Sequence, residues 1–459
     1  MQVRQLDPSV VQSVIASWLQ KKMPKARDIS ITNIERSGSG MSNETFLFDV
    51  SWREDKKSRS EGMVLRLPPK AHPVHPEYDL KKQFTIMQSL AKTNVPVPKM
   101  YWIEEDTEVF GTPFYIMGKL NGIVPLDYPP YHSFGVYFNA TPLQRAKMWW
   151  GSLDAMAKVH KVDWEKLGLS FLGAPKGGTH PVDRRLDYLE RFLNWIKEGP
   201  QDTQPMLETA LKWLRQNRYV PERVGLCWGD TRLPNTMYDQ NFDVIAVLDW
   251  EMAYLGDPES DLAWFLLADW QHSEGYGIPR LEGSPSREET IKRYEEFTGF
   301  KVKNLFYNEV LNAFYYAIVT AKVFKNLKKM GISQPGDATE YNTPSHQRLA
   351  SLLNLPAPAA PRKTVKLEEI TATVQFHLTG PKGGDWYLIY DKGRATRHDG
   401  TVVNPTCTLI ASAEDWAAIQ SGEMVRFQAW TSGKLKIEGN MTLFLQLEET
   451  ISKFTRGGQ

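Results

Sequence analysis

The sequence predicts an α+β chain: a small sheet domain carrying one helix, a helical domain interrupted once by strands, and a separate α+β module behind a linker. Three observations predict it. Residues 29–120 hold short β-branched and aromatic runs broken by glycine or charge clusters; from about 141 apolar residues recur at helical spacing; beyond 365 period-two alternation returns. The 459 residues, 41% hydrophobic and 12% aromatic with 15 Trp, suffice for two or three cored domains. The expected boundaries are 1–120, 121–331, a linker at 332–364, and 365–459.

The opening MQVRQLDPSVVQSVIASWLQKK reads as an amphipathic helix without the apolar stretch and cleavage site of a signal peptide. Strands are expected in ISITNIERSGSG, NETFLFDVSW and MVLRLPP, then a helix in PEYDLKKQFTIMQSL, where Tyr78, Phe84, Met87 and Leu90 lie near helical spacing. VPVPKMYWIEED and GTPFYIMGKL complete the sheet. Thr141 and Pro142 are a cap and first-turn pair, and Ala146, Trp149, Leu153, Met156 and His160 then share one helix face. Similar faces recur in VDRRLDYLERFLNWI and PMLETALKWLRQN. Ser286 and Glu289 predict a capping box and Gly299 a stop. A long helix follows over roughly 303–330. NLPAPAAPRK is Pro/Ala-rich without periodicity and marks the linker. The tail alternates in ATVQFHLTG and DWYLIYD, then reads PTCTLIAS, helical AEDWAAIQSGE, strand-like KLKIEGN and a last amphipathic helix, MTLFLQLEETISKF.

A formal net charge of +1 excludes a global field that would drive the chain onto nucleic acid, so any anion site is local. Cys227 and Cys407 match no metal spacing and fit a reducing cytoplasm. The longest apolar segment, at 310–324, contains Asn312 and Lys322 and is shorter than the roughly 20 residues of a bilayer span. It reads as a buried core helix.

Chemistry concentrates in LCWGDTRLPNTMYDQNFDVIAVLDWE, residues 226–251. Asp230 sits in a turn, Asn235 follows five places later, and a short strand returns to Asp249. Asp and Asn are common turn formers, so an isolated Asp-x4-Asn would be an ordinary loop. Here a strand-rich domain precedes it and helices surround it. A carboxylate with a carboxamide oxygen is hard-oxygen ligation suited to Mg²⁺, and the remaining aspartate is free to take a hydroxyl proton. These are the components of a protein-kinase-type phosphoryl-transfer site.

The run WGDTRLPN…VLDWEMAYLGDPESDLAW resembles the catalytic segment of the aminoglycoside/choline-kinase-like phosphotransferase family. It is most similar to the branch present as a kinase-like domain in some acyl-CoA dehydrogenase family members. SGSGMSNETF resembles the phosphate loop, VLRLPP the third strand, EYDLKKQFTIMQSL the lobe's helix and GTPFYIMGKLNG the interlobe hinge. The resemblance covers roughly 25–330 and implies a bilobal protein-kinase-like fold. It implies Asp230 as the base that orients the acceptor hydroxyl, Arg232 as a cation near the transferring phosphate, and Asn235 and Asp249 as Mg²⁺ ligands. It further implies Ser39, Gly40, Ser42 and Asn43 at the phosphates, Arg66 gripping them with Glu77 as its partner, and adenine against Ile116–Leu120, with Met117 and Lys119 in contact. Glu251 is either a further metal neighbour or a polar loop residue, and Asp257 caps the next helix and braces the metal loop. Two departures stand out: Arg66 replaces the expected lysine, and Trp228 the usual histidine. His160 reads as a satisfied core histidine, and the insert YPPYHSFGVYF at 128–138 as a packed lid or an acceptor contact.

The tail resembles the sterol-carrier-protein-2-like fold, most clearly in AIQSGE…TSGKLKIEGNMTLFLQL. That resemblance implies an apolar tunnel, with Leu443, Phe444 and Leu447 either lining it or in the core. The expected protein is a cytoplasmic ATP- and Mg²⁺-dependent phosphotransferase. Its acceptor would be the hydroxyl of a small, acyl- or sterol-like or acyl-CoA-like molecule. The alternative is a non-catalytic carrier or scaffold with a degenerate kinase-like domain.

Overall fold

A computed structural model describes residues 6–37, 43–69, 72–127, 129–174, 181–329, 341–356, 371–391, 394–421, 424, 429 and 434–439. The chain divides into two compact units. Unit one is 1–36, 41–320 and 344–357; unit two is 37–40, 321–343 and 358–459.

Unit one opens with α1 (Pro8–Lys22), capped by Asp7, whose side chain accepts from the Ser9 N–H. β1 (Arg27–Arg36), β2 (Glu44–Glu54) and β3 (Lys57–Leu67) form a meander. α2 (Leu80–Leu90) follows, then β4 (Met100–Glu104) and β5 (Phe114–Gly118). The sheet order is β1-β2-β3-β5-β4, with neighbours antiparallel. Alternation in β2 turns Phe46, Phe48 and Val50 onto one face, where they pack with Val11, Ile15, Trp18 and Leu19 of α1. α2 begins only at Leu80: Asp79 caps it, and the Tyr78 hydroxyl instead accepts the Val74 and His75 N–H groups.

The helical part contains α3 (Gly135–Asn139), α4 (Pro142–His160), α5 (Pro181–Ile196) and α6 (Pro205–Gln216). Thr141 and Gln144 close a reciprocal capping box on α4. The β-interruption is four short strands: β6 (Gly225–Cys227), β7 (Thr236–Tyr238), β8 (Val244–Val247) and β9 (Tyr254–Gly256). β6 pairs with β9 and β7 with β8. α7 (Glu259–Gln271), α8 (Arg287–Thr298) and α9 (Leu305–Lys329) come next. Ser286 and Glu289 form the expected box on α8, and Gly299 ends it at φ +75°. One apolar cluster joins Leu80, Phe84, Met87 and Leu90 of α2 to Leu226, Trp228, Val247, Trp250 and Leu255. Fully burying one such side chain contributes about 1.5–3 kcal/mol, so this cluster fixes the β6–β9 strands against α2.

The segment read as linker differs in part: residues 344–353 form α10 (Pro344–Leu353), with Ser345, His346, Leu349 and Ala350 buried. The Ser345 hydroxyl donates to Gln271 at 3.0 Å. Composition alone masked an anchor supplied by Leu349 and two buried polar side chains.

Unit two carries β10 (Thr371–Thr379), β11 (Gly384–Asp391), β12 (Arg394–Asp399), β13 (Cys407–Ser412), α11 (Ala413–Ser421) and β14 (Leu435–Gly439). The sheet order is β12-β11-β10-β13-β14, with β10 and β13 parallel. Its core gathers Val374, Phe376, Trp386, Leu388, Leu409, Trp416 and Ile419. A cavity of about 350 Å³ has polar as well as aromatic walls, including Lys382, Asp385, Trp386, Arg397 and Trp416. The final helix, with Leu443, Phe444 and Leu447, lies outside the described residues. Cys227 and Cys407 are buried free thiols, and no described helix is long and apolar enough to cross a membrane.

Candidate active site

The β6–β9 unit delivers both aspartates. After β6 the chain turns at Gly229, φ +90°, where an added Cβ would lie 2.4 Å from the Met252 carbonyl oxygen, so only glycine fits. Asp230 follows, 7% exposed. Its Oδ1 accepts from Arg232 Nε and from Trp264 Nε1, each at 2.8 Å, and its Oδ2 from Asn235 Nδ2 at 2.7 Å. An ionised carboxylate offers about four acceptor positions, so three donors hold it in place and one position stays open. Asn235 also donates to the Asp230 carbonyl at 2.9 Å. With its nitrogen committed, its Oδ1 accepts from no described residue. The Leu248 N–H binds the Asn235 carbonyl at 2.8 Å, tying the two arms together one residue before Asp249.

Asp249 adopts φ +62°, a left-handed conformation that costs a non-glycine residue of order 1–3 kcal/mol and turns it sharply out of β8. Arg66 Nη2 of β3 donates to its Oδ1 at 3.2 Å, while Arg66 Nε is buried without an acceptor. Burial first, then the neighbouring Glu251, hold the Asp249 carboxyl well above the ordinary carboxylate range, with Arg66 pulling the other way. Glu251 accepts from Asn43 Nδ2 at 2.8 Å and lies 3.3 Å from His75 Nε2. Lys82 of α2 donates to the Glu251 carbonyl at 3.1 Å and is pushed down to about 8 by burial and by Arg185.

These groups fit Mg²⁺. Asn235 Oδ1 and the Asp249 carboxylate are hard oxygens, and negative charge is crowded at Asp249 beyond what Arg66 balances. The orphaned Arg66 Nε leaves a donor for phosphate oxygen.

The expected residues fall into three groups. Asp230, Arg232, Asn235, Asp249, Arg66 and Asn43 converge. Ser39, Gly40 and Ser42 lie outside the described residues. Glu77 does not meet Arg66, while Met117 and Lys119, expected at the adenine, lie on β5 and just after it. Glu77 is exposed and precedes α2, and Arg66 reaches Asp249 instead, because the helix starts three residues after Glu77. Lys119 pairs with Asp49 of β2 at 3.1 Å, while Met117 lies on β5, partly packed in the cluster below the site. Arg232 is clamped between Asp230 and Asp127.

Support from behind the loop comes mainly from Asp261 in the first turn of α7. It accepts from the Trp228 N–H at 2.6 Å, the Gly229 N–H at 2.9 Å and His160 Nε2 at 2.9 Å. His160 is the satisfied core histidine expected, its other nitrogen 2.8 Å from the Tyr294 hydroxyl. Asp257 accepts from the Glu259 N–H as a cap, but the bracing expected of it belongs to Asp261, one turn further on. Trp228 donates from its indole to the Leu248 carbonyl at 2.8 Å, so this replacement props the Asp249 arm. In the aromatic insert, Tyr131 and Tyr137 are buried, and the Tyr131 hydroxyl donates to Asp269 at 2.9 Å; this is packed structure. Asp261 and Trp264 lie within the quoted catalytic segment without an assigned role, and Asp127 lies outside it. Their nearness to Asp230 arises from folding alone.

Comparison with known proteins bears on family and fold. The profile of the SCP-2 sterol transfer family matches residues 352–452. "Probable acyl-CoA dehydrogenase IBR3" of Arabidopsis thaliana is 29% identical over 284 residues, covering 58% of this chain and 32% of that protein. Human "Acyl-CoA dehydrogenase family member 11" is 27% identical over 277 residues, covering 54% and 33%. The chain thus spans about a third of the length of these relatives. A crystal structure of "a putative aminoglycoside phosphotransferase" from Ralstonia eutropha superposes with a TM-score of 0.53 at 23% identity, covering 74% of this chain and 95% of that one, which establishes the bilobal kinase-like fold. The profile of the phosphotransferase enzyme family matches residues 33–295, more than half of the sequence, and the chain belongs to that family.

Proposed function

We infer that the protein is a cytoplasmic kinase of small molecules, transferring the γ-phosphate of ATP to the hydroxyl of an acyl- or sterol-like acceptor. The observation that carries this reading is the convergence of Asp230, Asn235 and Asp249 on one β-unit, with Asn235 Oδ1 free and Asp249 crowded by negative charge.

Asn235 and Asp249 would hold Mg²⁺, whose charge offsets that of the triphosphate. Arg66 would donate to phosphate oxygen through the donor it leaves unused. The open position on Asp230 Oδ2 would accept the acceptor's hydroxyl proton as the oxygen–phosphorus bond forms and the bond to the ADP oxygen breaks. Arg232, held beside Asp230, would place its charge near the transferring group, where a loose transition state spreads negative charge. The match of the second unit to a sterol transfer family supports an apolar ligand there.

One observation favours a non-catalytic carrier: Arg66 already bridges to Asp249. Labelled ATP incubated with a metabolite extract decides between the readings. A phosphorylated compound that disappears with Asp230→Asn supports the kinase. ATP-dependent stabilisation without any phosphorylated product supports the carrier.

A further inference from the structure

Arg185 of α5 is 9% exposed, yet no described residue accepts a hydrogen bond from its guanidinium, and its Nε is buried without a partner. Its neighbours are rings. The guanidinium carbon lies 4.2 Å from the Tyr254 ring centre, 4.6 Å from Tyr315 and 5.4 Å from Tyr188. Aromatic faces attract the cation, but its five N–H donors point outward in the guanidinium plane and require oxygen acceptors. The Tyr315 hydroxyl is itself buried without a partner. A second cation adds to the excess: Lys82 is close enough to be repelled by Arg185, although Asp79, Glu251 and Glu77 also act on it. The rings offset part of the cost of burying the guanidinium, but its in-plane donors stay unsatisfied, which leaves a place for an anion.

The place matters as much as the charge. Trp264 donates to Asp230 at 2.8 Å, and its ring lies 5.5 Å from that of Tyr315, the same ring that flanks Arg185. Tyr315 lies within the fields of Arg185, Glu251 and Asp230 together. Lys82, on the other flank, binds the Glu251 backbone. The cation pair therefore borders the reacting groups and takes no part in the metal set.

We propose that Arg185, with Lys82 beside it, anchors an oxyanion of the acceptor, a carboxylate or a phosphate monoester, so that the molecule phosphorylated is an acidic alcohol. This rests on the kinase reading for the word acceptor; the anion site itself does not. Guanidinium presents paired donors that match either group, and fixing that end of the molecule would orient its hydroxyl toward Asp230.

The test uses the full chain, at constant ionic strength, with benzoate, phenyl phosphate and uncharged benzamide as probes of thermal stability. Wild type should be stabilised by benzoate or phenyl phosphate and not by benzamide, and the stronger of the two anions identifies the preferred group. Arg185→Gln should weaken that anion's apparent affinity at least about tenfold, the scale of a lost hydrogen bond to a charged group, while keeping its response to Mg-ATP. Arg185→Lys, which keeps charge but loses the fork, should fall between them and serves if the glutamine variant does not fold. Equal responses of wild type and variant to both anions, including no response from either, would overturn the assignment, as would benzamide matching benzoate. An Arg185-dependent anion response without any Mg-ATP response would instead retain this site and defeat the kinase reading.

Discussion

Asp230 and Asp249 stand at opposite ends of one small β-unit, and their surroundings are opposite in kind. Asp230 is gripped by three donors between 2.7 and 2.8 Å. Asp249 has one bond of 3.2 Å to Arg66, a strained backbone, and Glu251 two residues on. The first carboxylate is positioned before any ligand arrives, as a group that must meet a hydroxyl at a defined point has to be. The second is held above the ordinary carboxylate range chiefly by burial and then by Glu251, with Arg66 and Arg232 acting in the opposite sense. Unit two offers the contrast to both. Its described core is aliphatic and aromatic, built around Val374, Phe376, Trp386, Leu388 and Leu409.

The largest test of this contrast is Asp230→Asn. Turnover should fall by about 10²–10⁴-fold, the usual scale of a general base, while Mg-ATP still stabilises the protein. Unchanged turnover would remove Asp230 from the chemistry.

Asp249→Asn should behave in the opposite way. At a hundredfold excess over Kd, Mg-ATP is expected to stabilise wild type by about 2.7 kcal/mol, and the variant should lose most of that. Its ligand-free stability should rise. The folded state holds this carboxyl above its ordinary value, so ionising it costs stability. That cost sets in as pH climbs through the ordinary carboxylate range and is complete above the raised value. A neutral side chain should therefore raise Tm near pH 8, by about 2–4 °C per kcal/mol relieved, and a lower Tm would contradict this account.

Gly229→Ala sharpens the comparison from the backbone. A methyl group against the Met252 carbonyl at positive φ should cost about 1–3 kcal/mol in a denaturant titration and displace Asp230, lowering turnover more than nucleotide affinity. A smaller effect on the chemistry is expected from Trp228→Phe, which removes the bond to the Leu248 carbonyl and one buried ring packed in the α2 cluster. About 1–3 kcal/mol of stability should go, read in a denaturant titration, with nucleotide affinity lowered more than turnover.

What could be read before folding was local. The Asp-x4-Asn spacing, the returning strand, and the caps at Thr141 and Ser286 are all set within a few residues, where backbone period and hydrogen-bond reach leave little choice. Local reading failed where a signal was weak or misassigned. β12 was missed because RATRHD is a charged edge strand with only Ala395 buried, and α10 because its flanks are proline-rich. Position along the chain points to Glu77 as the partner of Arg66, whereas the fold pairs Arg66 with Asp249 across 183 residues of sequence.

Sequence by itself determined the residue types at the site and the order in which strands deliver them, since both depend on neighbours along the chain. Tertiary structure alone decided that Asn235 turns its nitrogen inward, that Trp264, Asp127 and Asp261 surround the loop, and that Arg185 is left without an acceptor. The reason is physical: which donor meets which acceptor in a buried site depends on packing between distant segments, and no local pattern encodes that distance.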